Sequence, residues 1–167
     1  MPITRHKILN HSVGRKQSGF SLIEVMVTAV IIGGSLLGIA QLQATSIRNS
    51  QDAYYRATAN TLAYEIIDRM RANRTLASTT TNYATALGAA EVAGTNCEAE
   101  SCSRAELSDY DLEAWKYLLS TNLPVGDGAV TVAVGPTGAE ITVTVQWQDN
   151  DSTGNRNSYN LNVSTLL

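Results

Sequence analysis

The chain has 167 residues, with 12 basic and 15 acidic side chains, a formal net charge of −3, two cysteines and two histidines. That length leaves room for one modest domain besides a membrane segment. The acid excess argues against a broad nucleic-acid-binding surface, which would be basic. Both histidines lie at or before residue 11, and no nucleophile elbow, Walker loop or acid pair of telling spacing appears elsewhere. Nothing in this composition supports an enzyme or a resident cofactor.

The N-terminal stretch carries Arg5, Lys7, Arg15 and Lys16 and no acidic residue. Phe20 to Ala40 then run without a charge except Glu24. As a helix they span about 32 Å at about 1.5 Å per residue, enough for a bilayer core of about 30 Å. The cations before them hold the N-terminus in the cytoplasm and send the remainder outward. A charge inside hydrocarbon costs roughly 2.5 to 3.5 kcal/mol, so Glu24 needs a partner. The apolar run offers no side-chain cation. A cut after Gly19 creates one, the α-amino group of Phe20. That amine can meet Glu24 of its own chain or of a neighbouring copy, and fixing register is the best-attested use of a buried ion pair. An ordinary secretory signal has a shorter apolar region and a small-residue cleavage site, for which Ala40–Ala44 is only a loose candidate. A plain signal anchor fits the hydropathy but leaves Glu24 unexplained.

The segment KQSGFSLIEVMVTAVIIGGSLLGIA, Lys16 to Ala40, closely resembles the class III signal of type IV prepilins and of the pseudopilins of type II secretion. The resemblance implies that a membrane peptidase cuts after Gly19, that the same enzyme methylates the amine of Phe20, and that Glu24 guides subunit docking. Residues 1–19 are then a cytoplasmic leader, 20–40 a transmembrane half-helix, 41–74 its amphipathic continuation and 75–167 a periplasmic head. Without the leader's four cations, eight basic residues face fifteen acidic ones, a net charge of −7.

Ile47, Tyr54, Tyr55, Leu62, Ile66, Ile67 and Met70 recur at three- and four-residue steps, with Arg48, Asp52, Arg56, Glu65 and Arg69 between them. No proline interrupts Phe20 to Arg74, so one helix of about 80 Å is expected, apolar all round in its first half. The second half lays its stripe on the head. Gly33, Gly34 and Gly38 each cost roughly 1 kcal/mol relative to alanine in a helix. They read either as close helix packing in a membrane or as a segment that bends or melts on assembly. Many pilins kink at a proline about twenty residues past the cleavage site; Gln41 stands there in this chain.

Leu76 to Thr95, rich in Thr, Ala, Ser and Gly, reads as an irregular, loosely ordered connection. Cys97 and Cys102 follow. In an exported chain they most simply form one local disulfide, and so short a loop constrains the unfolded chain by only about 2 kcal/mol. Metal binding needs more ligands than stand nearby. Ser103-Arg104-Ala105-Glu106 has the capping-box pattern of a helix start. Leu107, Trp115, Leu118 and Leu119 then form one face, with Asp109, Asp111 and Glu113 outward, and Leu123-Pro124 with Gly126 and Gly128 ends the helix.

The remainder is β. Val130, Val132 and Val134 alternate with smaller residues, Gly135 to Gly138 turn the chain, and Ile141, Val143, Val145 and Trp147 alternate again before Tyr159, Leu161 and Val163. Three strands with short links make an antiparallel meander. Asp149 to Asn155 resembles a calcium loop in outline but has Asn160 where the closing glutamate belongs, so a solvated hairpin loop is the simpler reading.

The stretch from Cys97 to Gly128, CEAESCSRAELSDYDLEAWKYLLSTNLPVGDG, also resembles the PilV-type minor pilins. In those proteins a cysteine pair, a helix carrying Asp-x-x-x-Trp and a Leu-Pro-x-Gly turn recur in this order; Asp111 and Trp115 occupy the matching places. The resemblance implies an α+β, pilin-like fold: a long N-terminal helix on a small antiparallel sheet, with a short extra helix. It also implies a non-enzymatic subunit that helps initiate pilus assembly. Its partners would be the prepilin peptidase/N-methyltransferase, other minor pilins, the major pilin and a tip adhesin. It would sit in the inner membrane before assembly and outside the cell in the pilus. Two other readings stay open: a minor pseudopilin of a type II secretion system, and an adhesion or DNA-uptake subunit binding through the 76–95 or 149–157 loops.

Overall fold

Leu22 to Ala72 form a single helix, α1, of 51 residues in the computed structural model, which describes residues 19–90, 94–136, 138–150 and 155–167. The leader cations Arg5, Lys7, Arg15 and Lys16, and residues 151–154 of the calcium-like loop, lie outside the described residues. The absence of proline permits the helix; Glu24 in its first turn and Arg69 and Arg71 in its last complement the helix dipole.

The chain divides into two compact units, one ending at Thr45 and one running from Ser46 to Leu167. In the first, every described side chain is exposed, and the helix is long and apolar enough to cross a membrane. Its hydroxyls do not remain unpaired: Thr28 donates to the Val25 carbonyl at 2.9 Å, Ser35 to Ile31 at 2.8 Å and Thr45 to Gln41 at 3.1 Å. Polar groups in an apolar medium must be satisfied within their own segment, and these are. Gly33, Gly34 and Gly38 are helical, and a Cβ at any of them would meet open space. No contact within the chain demands glycine there, so any close packing at these sites involves a neighbour.

In the second unit α1 buries Ala59, Leu62, Ala63, Ile66, Ile67 and Met70, a stripe at alternating steps of three and one. The helix ends at Ala72 rather than Arg74, and a single turn, α2 (Arg74–Ala77), follows Asn73. Helix α3 covers Arg104–Asn122. The strands β1 (Asp127–Gly135), β2 (Gly138–Asn150) and β3 (Arg156–Leu166) form an antiparallel meander in the order β1-β2-β3. Val143 pairs with Val130 on one side and Val163 on the other, so one face of the sheet is apolar throughout. Ile141, Val143, Val145 and Trp147 on that face join the α1 stripe and Leu112, Trp115 and Leu119 of α3 in one core. At its margin Arg56 lies 5.8 Å from the Tyr159 ring centre, and Tyr159 stacks on Trp147 at 5.8 Å, tying α1 to the sheet. Gly128 lets β1 approach α3: a Cβ there would stand 2.3 Å from the Trp115 ring.

The segment after α2 departs from the loose connection expected. Tyr83 is fully buried, and Thr85 forms an isolated antiparallel bridge to Val130, with N–H···O distances of 3.0 and 2.9 Å. The Thr/Ala/Ser-rich composition hides one large anchoring side chain.

Candidate functional site

Helix α1 begins only at Leu22, so the Gly19–Phe20 peptide lies outside the helical hydrogen-bond ladder. Nothing comes within 4 Å of a Cβ built on Gly19, and Phe20 is 84% exposed. A peptidase needs such an accessible, non-helical peptide. Ser21 accepts from the backbone of Glu24 at 3.0 Å and of Val25 at 3.3 Å, which sets the first turn. Glu24 is exposed in that turn, one residue type in an otherwise apolar surface. The structure thus brings Gly19, Phe20 and Glu24 together at one helix start.

Cys97 and Cys102 are joined, with an S–S distance of 2.00 Å and Cα atoms 5.5 Å apart. The bridge lies one residue before the helix cap. Ser103 accepts from the Glu106 backbone at 3.3 Å while the Glu106 carboxylate accepts from the Ser103 N–H at 2.8 Å, completing the capping box. Those Ser103 bonds, backbone first and side chain second, hold the Glu106 carboxyl below the usual carboxylate range.

Within α3 one expectation is corrected. Asp111 points inward and is 5% exposed. Its Oδ1 accepts from Arg69 at 3.2 Å and its Oδ2 from the Tyr83 hydroxyl at 2.7 Å. Asn73 donates to the Tyr83 oxygen at 3.2 Å and to the Arg104 carbonyl at 2.8 Å, and Arg69 also bonds Glu65 at 2.8 Å. A buried carboxylate is tolerable only when paired and hydrogen-bonded, and here it is both. Burial, followed by the bond to Asp111, pushes the Tyr83 pKa well above its ordinary value. Burial opposes the Arg69 charge, but Glu65 and Asp111 outweigh it and raise the Arg69 pKa. Four residues later Trp115 is fully buried and donates its indole N–H to the Leu62 carbonyl at 2.9 Å. Asp111 and Trp115 therefore fasten α3 to α1 by two adjacent polar anchors.

Lys116 fastens the neighbouring loop. Its ammonium donates to the carbonyls of Ala86 at 2.9 Å and Ala89 at 2.7 Å and stands 3.6 Å from Asp127, which also accepts from the Gly88 N–H. Lys116 is the single lysine after residue 16. The pattern-based reading missed Arg69, Asn73, Tyr83 and Lys116. The detectable signals were an aromatic isolated among small polar residues and a lone lysine on an acidic helix. At the far end of the unit Asp52 shares a hydrogen bond with Asp149, which raises the Asp52 pKa. Among the described residues no three His, Cys, Asp or Glu side chains converge as a metal site.

Comparison with known families gives two matches. Residues 14–39 match the prokaryotic N-terminal methylation motif, and residues 41–113 match the type IV pilin Tt1218 family. The first spans Gly19, Phe20 and Glu24; the second runs from Gln41 through the disulfide, Asp111 and into α3. No curated protein and no solved structure matches the chain. Together the two family matches support a type IV pilin-like prepilin, anchored by its apolar helix before it enters a pilus.

Proposed function

We propose that the protein is a minor pilin of the PilV type, a non-enzymatic subunit that primes type IV pilus assembly and supports twitching and adhesion. The observation that carries the reading is the exposed, non-helical Gly19–Phe20 peptide leading into an apolar helix whose one charge is Glu24. Prepilin peptidase cuts after Gly19 and methylates the new Phe20 amine. Until assembly the helix stays in the inner membrane with the head in the periplasm. The Phe20 amine of an incoming subunit and Glu24 of its neighbour then pair only in one register, and the desolvation cost of either charge alone rejects other registers. The arrangement of cysteine pair, Asp111, Trp115 and the Leu123-Pro124-Val125-Gly126 turn favours the PilV type. A minor pseudopilin of type II secretion shares the stem and remains the second reading. The partners are other minor pilins, the major pilin and a tip adhesin.

Mass spectrometry of the N-terminus from membranes or sheared pili tests the stem. N-methylated Phe20 is the expected result, and Gly19→Ala should leave an uncut precursor. A chain beginning at Met1 or near Thr45 would overturn the proposal. Deleting the gene separates the heads' roles: loss of pili supports the minor pilin, loss of secreted enzymes the pseudopilin, and normal pili that fail to bind an adhesive subunit.

A further inference from the structure

Val125 has a backbone φ of 50°, in the left-handed region that β-branched residues rarely adopt. Its surroundings hold it there. Gly126 donates to the Leu123 carbonyl at 3.0 Å, and the Pro124 carbonyl accepts from Gln148 at 2.9 Å. The turn is also pressed onto α3, because a Cβ on Gly126 would lie 2.2 Å from the Leu119 carbonyl oxygen. Glycine at 125 would remove the strain. The chain instead holds a valine whose side chain is 65% exposed and adds little to its own core. A strained position that displays an apolar side chain to solvent points to a contact outside the chain.

Val125 borders a groove of about 330 Å³, with Gln51 and Tyr55 of α1 on one wall and Asp149 and Arg156 on another. Gln51 and Tyr55 also line a second groove, of about 450 Å³, that runs along α1 past Ser46, Ile47, Ser50 and Tyr54. No charged side chain lines this second groove. Ile47 and Tyr54 are 61% and 60% exposed, large apolar surfaces on a helix whose other face is already in the core. Ser46 and Ser50, four apart, give a floor of small side chains, and the Ser50 hydroxyl is already bonded to the Ser46 carbonyl at 2.9 Å.

We propose that this continuous groove seats the apolar helical stem of a neighbouring filament subunit, with Val125 as the knob that abuts it. The proposal rests on the pilus-subunit reading above. The occupant follows from chemistry on both sides. The stem of this chain exposes Leu22, Ile23, Val30, Ile31 and Leu37 with only one charge among them, a surface that needs cover once a subunit leaves lipid. A groove without charge, floored by small residues on a helix, suits close approach of such a helix. The Asp149 and Arg156 wall marks where the apolar occupant must end.

The test uses the full chain in cells. Val125→Gly should be cut and methylated at Phe20 like the wild type, melt at an equal or higher temperature, and be several-fold depleted from sheared pili. A photo-crosslinking benzoylphenylalanine at position 125 should capture a residue in the apolar stem of another subunit. Wild-type incorporation of Val125→Gly, or crosslinks confined to globular heads, would overturn the groove assignment. An uncut wild-type precursor would instead overturn the pilus reading beneath it. Should Val125→Gly melt lower than the wild type, the crosslink decides alone.

Discussion

Replacing Asp111 by alanine tests whether the buried polar cluster holds α3 and the 78–90 segment to α1. The substitution removes the acceptor of both Arg69, at 3.2 Å, and Tyr83, at 2.7 Å. Tyr83 is fully buried, so its hydroxyl would lose its acceptor without water to replace it, a penalty of about 1 to 3 kcal/mol. Arg69 keeps Glu65 at 2.8 Å and is partly exposed, so its charge is not stranded; losing one charge-assisted bond adds about 1 kcal/mol. The sum, about 3 kcal/mol, is a large fraction of the roughly 5 to 15 kcal/mol that stabilise a typical domain. Tyr83→Phe is milder. Asp111 then keeps Arg69, and Asn73 keeps the Arg104 carbonyl at 2.8 Å, so about 1 kcal/mol is expected. Because the two side chains share one bond, the double variant should cost clearly less than the sum of the singles. Urea unfolding of the full chain in detergent, followed by fluorescence of the buried Trp115 and Trp147, reads all three values. An Asp111→Ala variant within about 0.5 kcal/mol of wild type, a surface-like effect, or strict additivity of the pair, would refute the reasoning.

Three further outcomes follow from the structure. Glu24→Ala should still be cleaved and methylated but enter pili poorly, since the register-setting carboxylate is gone; immunoblots of sheared pili check this, and wild-type incorporation would contradict the docking role. Cys97→Ser should loosen the 97–102 loop while leaving cleavage intact, at a cost of about 2 kcal/mol for so short a loop; hydrogen exchange confined to the start of α3 is the readout, and non-reducing peptide mapping that finds free thiols would remove its basis. Tyr83 gives a pH dependence. Its folded pKa is raised, so above the ordinary tyrosine value of about 10 the unfolded chain loses that proton first. Tyr83's contribution is complete below about pH 10 and is lost as the pH climbs towards the folded value. The urea midpoint should therefore fall from pH 9.5 upwards (about half a unit below that value), and less steeply in Tyr83→Phe.

Periodicity made the fold legible. An apolar run without proline gave α1, steps of three and four gave its buried stripe, and strict alternation gave β2, whose Ile141, Val143, Val145 and Trp147 all face the core. Capping chemistry is equally local, so Ser103 and Glu106 marked the start of α3 to the residue. Asp111 was illegible for the opposite reason. On a helical wheel it sits beside Asp109 and Glu113, and only a partner 42 residues earlier, Arg69, makes its burial favourable. Tyr83 and Lys116 likewise act through residues 28 and 30 positions away. Long-range polar pairs leave no period in a sequence.

The two units of α1 meet different solvents, and the same residue types serve different ends in each. Before Thr45 a hydroxyl turns back to its own helix, because hydrocarbon offers no other acceptor. From Ser46 onward polar groups reach across the fold instead: Arg69 to Asp111, Asn73 to Tyr83 and the Trp115 indole to Leu62. The core is therefore keyed by directional bonds as well as by apolar area. Such bonds add little net stability, but a shifted α3 would leave several buried groups unpaired at once. Rigidity of that kind suits a subunit whose surface must match its neighbours while its stem passes from lipid to filament. Substitutions in the Asp111 cluster should accordingly lower head stability without changing cleavage at Gly19, whereas those at Glu24 should leave the urea midpoint unchanged. A cluster variant that blocked processing would show that the peptidase reads the head, and the independence of the two units would have to be given up.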